Sequence, residues 1–103
     1  MISKQFMKNK PVCKATFTLP VDVAPEAKNV QVLGEFNGWN PEDAPKMKKQ
    51  KNGFFKAVVE LETGKEYQFR YLVDGETWLN DQEADDYVAS EFGTENCVIS
   101  TLN

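Results

Sequence analysis

Apolar and polar side chains alternate at period two through much of this chain. From Val12 to Leu19, Cys13, Ala15, Phe17 and Leu19 alternate with Lys14, Thr16 and Thr18, as expected of a strand with one buried face. From Phe54 to Leu61, Phe55, Ala57, Val59 and Leu61 are expected inward, with Lys56 and Glu60 outward. Tyr67, Phe69, Tyr71 and Val73 share one face of the next strand, and Glu66, Gln68, Arg70 and Leu72 the other. Over 29–36, Val30, Val32 and Phe36 line one face with Gly34 between them. A last strand, Glu95 to Thr101, is expected to turn Cys97 and Ile99 inward.

Turn residues separate these runs. Asn52-Gly53 is a hairpin signal that places an edge strand within Lys46 to Gln50, and Thr63-Gly64 and Asp74-Gly75 reverse the chain again. A short strand carrying Trp78 and Leu79 follows Asp74-Gly75. Residues 1–10 read as a polar, flexible leader, 21–29 as a connecting loop with room for a short turn of helix, 37–45 as a loop, and 80–94 as an acid-rich loop. No stretch has the 3.6-residue periodicity of an amphipathic helix. The pattern predicts an all-β chain: an immunoglobulin-like antiparallel β-sandwich of about seven short strands, with 11–103 as its single domain.

Two stretches depart from simple alternation. In VQVLGEFNGWNP (30–41) a strand runs into a turn that carries Trp39. In YQFRYLVDGETWLN (67–80) another strand passes through a turn to Trp78. A tryptophan gains most from burial, so core packing is one reading of each. Two turn-borne indoles in one small domain give the other, a binding face. An indole presents a broad apolar surface to the C–H face of a sugar ring, while amides and guanidinium groups hydrogen-bond the hydroxyl rim. Strand parity puts Arg70 opposite the aromatic core, where Trp39 and Trp78 can flank it and Thr94 and Asn96 can add hydrogen bonds. From the residues alone, a carbohydrate or peptide groove and core packing both stand.

Composition narrows the partners. The 103 residues carry a net charge of −4 and a pI near 4.8, which disfavours nucleic acid or an anionic membrane as main partner. Lys46, Lys48, Lys49 and Lys51 form a local basic run, read as a solvated edge that resists strand-to-strand aggregation. No apolar run reaches signal-peptide or membrane-span length, so cytoplasmic residence is expected. With no histidine, the commonest metal ligand and general base is missing. Cys13 and Cys97 lack metal-ligand spacing; two buried reduced thiols are expected, with a bridge between the first and last strands as the alternative. Asp81, Glu83, Asp85 and Asp86 read as a solvated loop, with opportunistic calcium binding as the alternative, rather than a carboxylate pair for glycoside cleavage, and their spacing lacks the Gly turn of an EF-hand loop. Neither catalysis, nor a metal, nor a cofactor is expected.

GEFNGW, YQFRYLVDGETW and FGTEN, in that order, resemble the family-48 carbohydrate-binding modules. That family is related to the isoamylase N-terminal (early set) domains and to the glycogen-binding domain of the AMP-activated protein kinase β subunit. The likeness runs from about Val12 to Thr101. It implies an immunoglobulin-like sandwich that binds α-1,4-glucans such as glycogen, starch or maltodextrin. Position by position, it implies stacking by Trp39 and Trp78. Arg70 stands where the kinase domain has a lysine, Phe92 where it has a leucine, and Thr94 and Asn96 form the hydrogen-bonding pair. This chain also has one more residue between Asp74-Gly75 and its second tryptophan. Because similar domains precede catalytic barrels in glucan branching and debranching enzymes, an accessory role, docking on a glucan-metabolising enzyme, is the alternative.

Overall fold

The expected alternation appears as strand burial. The computed structural model describes residues 2–23, 26–90 and 93–102. Nine strands occur among them: β1 (Ile2–Phe6), β2 (Val12–Leu19), β3 (Val30–Gly34), β4 (Lys48–Lys49), β5 (Phe55–Glu62), β6 (Glu66–Val73), β7 (Thr77–Leu79), β8 (Asp86–Ala89) and β9 (Glu95–Ser100). Two antiparallel sheets form a sandwich. One runs β1-β2-β5-β4; the other runs β3-β6-β9-β8, with β7 also paired to β6. Two three-residue 3-10 turns, Val21–Val23 and Glu35–Asn37, complete the regular structure, and no described helix is long and apolar enough to cross a membrane.

The inward faces predicted for β2, β5 and β6 are the ones that meet. Phe17 packs edge-on against Phe69 and Tyr71, with ring centroids 5.1 and 6.5 Å away. Around them lie Ala15, Leu19, Val30, Val32, Phe55, Ala57, Leu61, Cys97 and Ile99. Such aromatic contacts add to the apolar burial that drives the sheets together. Cys13 and Cys97 are both buried and unbridged.

Three expectations need correction. The leader contains β1, which pairs with β2 from Ile2↔Phe17 to Phe6↔Cys13. Its pattern is broken by Lys4, which takes an inward register opposite Ala15 and reaches Asp85 at 2.6 Å. An inward charge at a sheet edge opposes pairing with another chain. Secondly, the strand expected over 29–36 ends at Gly34, and Glu35–Asn37 form a 3-10 turn. Thirdly, the acid-rich loop contains β8 and is not simply solvated. Asp81 is 3% exposed and accepts from the Tyr71 hydroxyl at 2.7 Å, while Asp85 also accepts from the Ser100 N–H at 2.7 Å. The first and third of these differences, β1 and β8, raise the strand count from about seven to nine among the described residues.

The opposite side of the sandwich is closed by one segment that changes sheets. Lys46 bridges to Gln31, and Met47 donates to the Val30 carbonyl at 2.7 Å. Two residues later Lys48 and Lys49 pair with Lys56 and Phe55.

Candidate functional site

The outward face of the β3-β6-β9-β8 sheet carries the site. Gln68, Arg70 and Leu72 alternate on that face of β6, as their parity requires. Positive φ at Asp74 (51°) and Gly75 (70°), with Glu76 N–H donating to the Val73 carbonyl, closes a type I′ turn. β7 returns with Trp78 directly opposite Leu72. Cross-strand partners share a face, so the additional residue before Trp78 leaves its indole on the groove side.

Trp39 reaches the same face from another direction. The Asn37 side chain locks the turn before it: Oδ1 accepts from Gly34 N–H at 3.1 Å and Nδ2 donates to the Val32 carbonyl at 3.0 Å. Trp39 N–H then donates to the Gly34 carbonyl at 3.0 Å, and Trp39 itself takes a left-handed φ of 59°. A bulky residue there carries backbone strain of about 1–3 kcal/mol. Packing offsets it, because Trp39 seats on a small second core of Leu33, Ala44 and Leu72. The outward Gln31 amide holds the following loop down through the carbonyls of Pro41 (2.7 Å) and Ala44 (3.2 Å).

The two indoles meet edge-to-face, with centroids 6.4 Å apart and planes inclined at 63°. Trp39 is half-buried, whereas Trp78 is 41% exposed. They flank an open groove of about 670 Å³, also lined by Glu35, Gln68, Arg70, Ala89, Ser90, Thr94 and Asn96. Arg70 is half-buried, with its guanidinium carbon 5.7 Å from the centroid of the Trp78 ring, within cation–π range. Its Nε–H donates to Asn80 Oδ1 at 3.0 Å.

Polar groups fix the remaining walls. Glu35 Oε1 accepts from the Gln68 backbone N–H at 2.7 Å, which fixes a carboxylate on the wall of the groove that Arg70 also lines. Asn96 Nδ2 donates to Gln68 Oε1 at 3.0 Å. The Thr94 and Ser90 hydroxyls lie 2.9 Å apart, and Ser90 N–H donates to the Thr94 carbonyl at 2.7 Å. Beneath the groove, burial first and then the Asp81 carboxylate, by charge and hydrogen bond, push the Tyr71 phenol far above its ordinary pKa. Burial likewise raises the Cys97 thiol, which accepts from Asp81 N–H at 3.0 Å.

Five of the six expected site residues, Trp39, Arg70, Trp78, Thr94 and Asn96, thus line one groove. Phe92 lies outside the described residues. Sequence reasoning did not assign Glu35, Gln68, Ala89 or Ser90 to the site. Gln68 was within reach, since it shares the outward parity of Arg70 two residues on. The others come from a 3-10 turn and from the end of β8, neither of which the alternation signalled. The lining groups are suited to stacking and to hydrogen bonding with a neutral, hydroxyl-rich ligand.

A model of the glycogen recognition site of AMP-activated protein kinase matches residues 19–102 of this chain. The chain belongs to that family. Within this glycogen-recognition family, its match spans every element that builds the groove, from β3 to β9. The chain is also similar to the 1,4-alpha-glucan branching enzyme GlgB 2 of Xanthomonas campestris pv. campestris, in strain 8004 and in a second strain. Identity to each is 38% over 58 residues, or 54% of this chain. That stretch is 8% of the length of the enzymes.

Proposed function

We propose that the groove binds α-1,4-linked glucan, as glycogen, starch or maltodextrin, and makes or breaks no bond in it. The inclination between the two indoles carries this reading. Two apolar faces set 63° apart across a groove otherwise lined by hydrogen-bonding groups suit sugar rings that turn relative to one another. Successive glucose units of an α-1,4 chain do so, whereas a β-1,4 chain is a flat ribbon. Trp39 and Trp78 take ring faces, and Arg70, Thr94 and Asn96 take hydroxyls. An open, wet groove of this kind binds with dissociation constants of roughly micromolar to millimolar, about 4–8 kcal/mol. Membership of a glycogen-recognition family supports the reading.

Tryptophan fluorescence during titration with maltoheptaose tests it, with cellohexaose as control, because the protein's two tryptophans both line the groove. A saturable change with the α-glucan alone is expected. Silence up to tens of millimolar sugar (about the weak limit of such sites) would remove the proposal. The same face would then be read as docking on a glucan-metabolising enzyme, which the likeness to a segment of branching enzymes favours.

A further inference from the structure

Asn80 lies just outside the groove and touches Arg70, not the space a ligand would fill. Its amide has only one workable orientation. Nδ2 donates to the Glu95 carbonyl at 3.0 Å while Oδ1 accepts from Arg70 Nε–H at 3.0 Å. Reversing the amide would place oxygen against a carbonyl and NH₂ against a guanidinium, which has no acceptor. The anchor is itself held, since Asn80 is followed by the buried Asp81 and bonded to the start of β9.

Arg70 is therefore gripped at Nε and lies over the Trp78 ring. The two terminal nitrogens donate to no described residue, and they are the donors that remain for a ligand in the groove. A long side chain that must be ordered on binding weakens binding, and one ordered beforehand does not.

We infer that Asn80 is a positioning residue that pre-orders Arg70 as a fixed, two-pronged hydroxyl donor of the glucan groove. The inference rests on the glucan-binding reading for its effect on affinity, but the Asn80–Arg70 link can be read without any sugar. Arg70 is the only arginine in the protein, so its Nε–H gives a single, unambiguous cross-peak in a ¹H–¹⁵N spectrum of the whole labelled chain. That peak is expected to be shifted and slow to exchange in the native protein. In Asn80→Ala it should move to the free-arginine position and exchange fast. Asn80→Asp, which keeps an acceptor for Nε–H and gives up the donor to Glu95, should retain it.

Maltoheptaose affinity, read from backbone amide shifts, should fall about fivefold in Asn80→Ala, the scale of ordering one flexible side chain. In an Arg70→Ala background the same substitution should change affinity less than about twofold. An equal loss in both backgrounds would mean that Asn80 only braces β7 against β9, and would overturn the inference. So would an unmoved arginine peak in Asn80→Ala. If the native protein ignores maltoheptaose while the peak behaves as expected, the glucan reading fails and the Asn80–Arg70 link stands.

Discussion

Gly34 and Gly38 lie in the same short motif, yet the structure requires them to be glycine for different reasons. A β-carbon on Gly34 would stand 2.5 Å from the Gln68 carbonyl oxygen, 2.8 Å from the Phe36 ring and 2.9 Å from the Phe69 β-carbon. The nearest obstacle is backbone and the others belong to aromatic side chains against the core, so none yields cheaply. Relief would require β3 and β6 to part by roughly 1 Å, which loosens packing along both strands. Overpacking of this kind costs about 3 kcal/mol, the upper end of its usual range. Gly38 instead has a φ of 64° and nothing within 4 Å of its would-be β-carbon. There the cost is the left-handed conformation alone, about 1–2 kcal/mol.

Both substitutions reduce the freedom of the unfolded chain similarly, so their difference isolates the close approach. Urea denaturation and thermal melts of Gly34→Ala and Gly38→Ala measure it. Gly34→Ala is expected to melt about 12–24 °C lower than the native protein, at about 4–8 °C per kcal/mol for a domain of this size. Gly38→Ala should lose less. If Gly34→Ala is as stable as Gly38→Ala, close packing of β3 on β6 is not what holds that position to glycine.

The two tryptophans should separate in stability. Trp39→Ala is expected to destabilise by about 3 kcal/mol because it uncovers Leu33, Ala44 and Leu72, whereas Trp78→Ala should cost less than about 1 kcal/mol. Both should weaken maltoheptaose binding, with denaturation and titration read on the same samples. Tyr71→Phe leaves the buried Asp81 without its phenol donor and should cost about 1–3 kcal/mol. The Tyr71 phenol is raised in the folded state, so its contribution is complete below the unfolded value near 10 and is lost as pH climbs above it. Stability measured from pH 9 to 12 (roughly one unit below and two above an ordinary tyrosine) should therefore fall more steeply in the native protein than in Tyr71→Phe. Cys13 and Cys97, buried and with thiols raised chiefly by burial, should react with a disulfide reagent only on unfolding. Labelling of either in the native state would contradict their burial.

The sequence by itself determined the faces. Side chains two apart on a strand share a side whatever the strand pairs with, so the inward sets of β2, β5 and β6 and the outward placing of Arg70 were legible. So were the turns that carry Trp39 and Trp78, because Asn-Gly and Asp-Gly act through local backbone conformation. Only the tertiary structure decided what depends on distant partners. β1 exists because β2 offers it an edge, although inward Lys4 breaks its pattern and needs Asp85 to satisfy it. β8 takes an acid-rich run into the sheet because β9 lies beside it, and Asp81 can be buried because Tyr71 meets it there. The convergence of Glu35, Gln68 and Ser90 on the indoles, and the grip of Asn80 on Arg70, join segments 10 to 55 positions apart. No local preference encodes such contacts; they arise when the two sheets close on one core and bring the outward loops together.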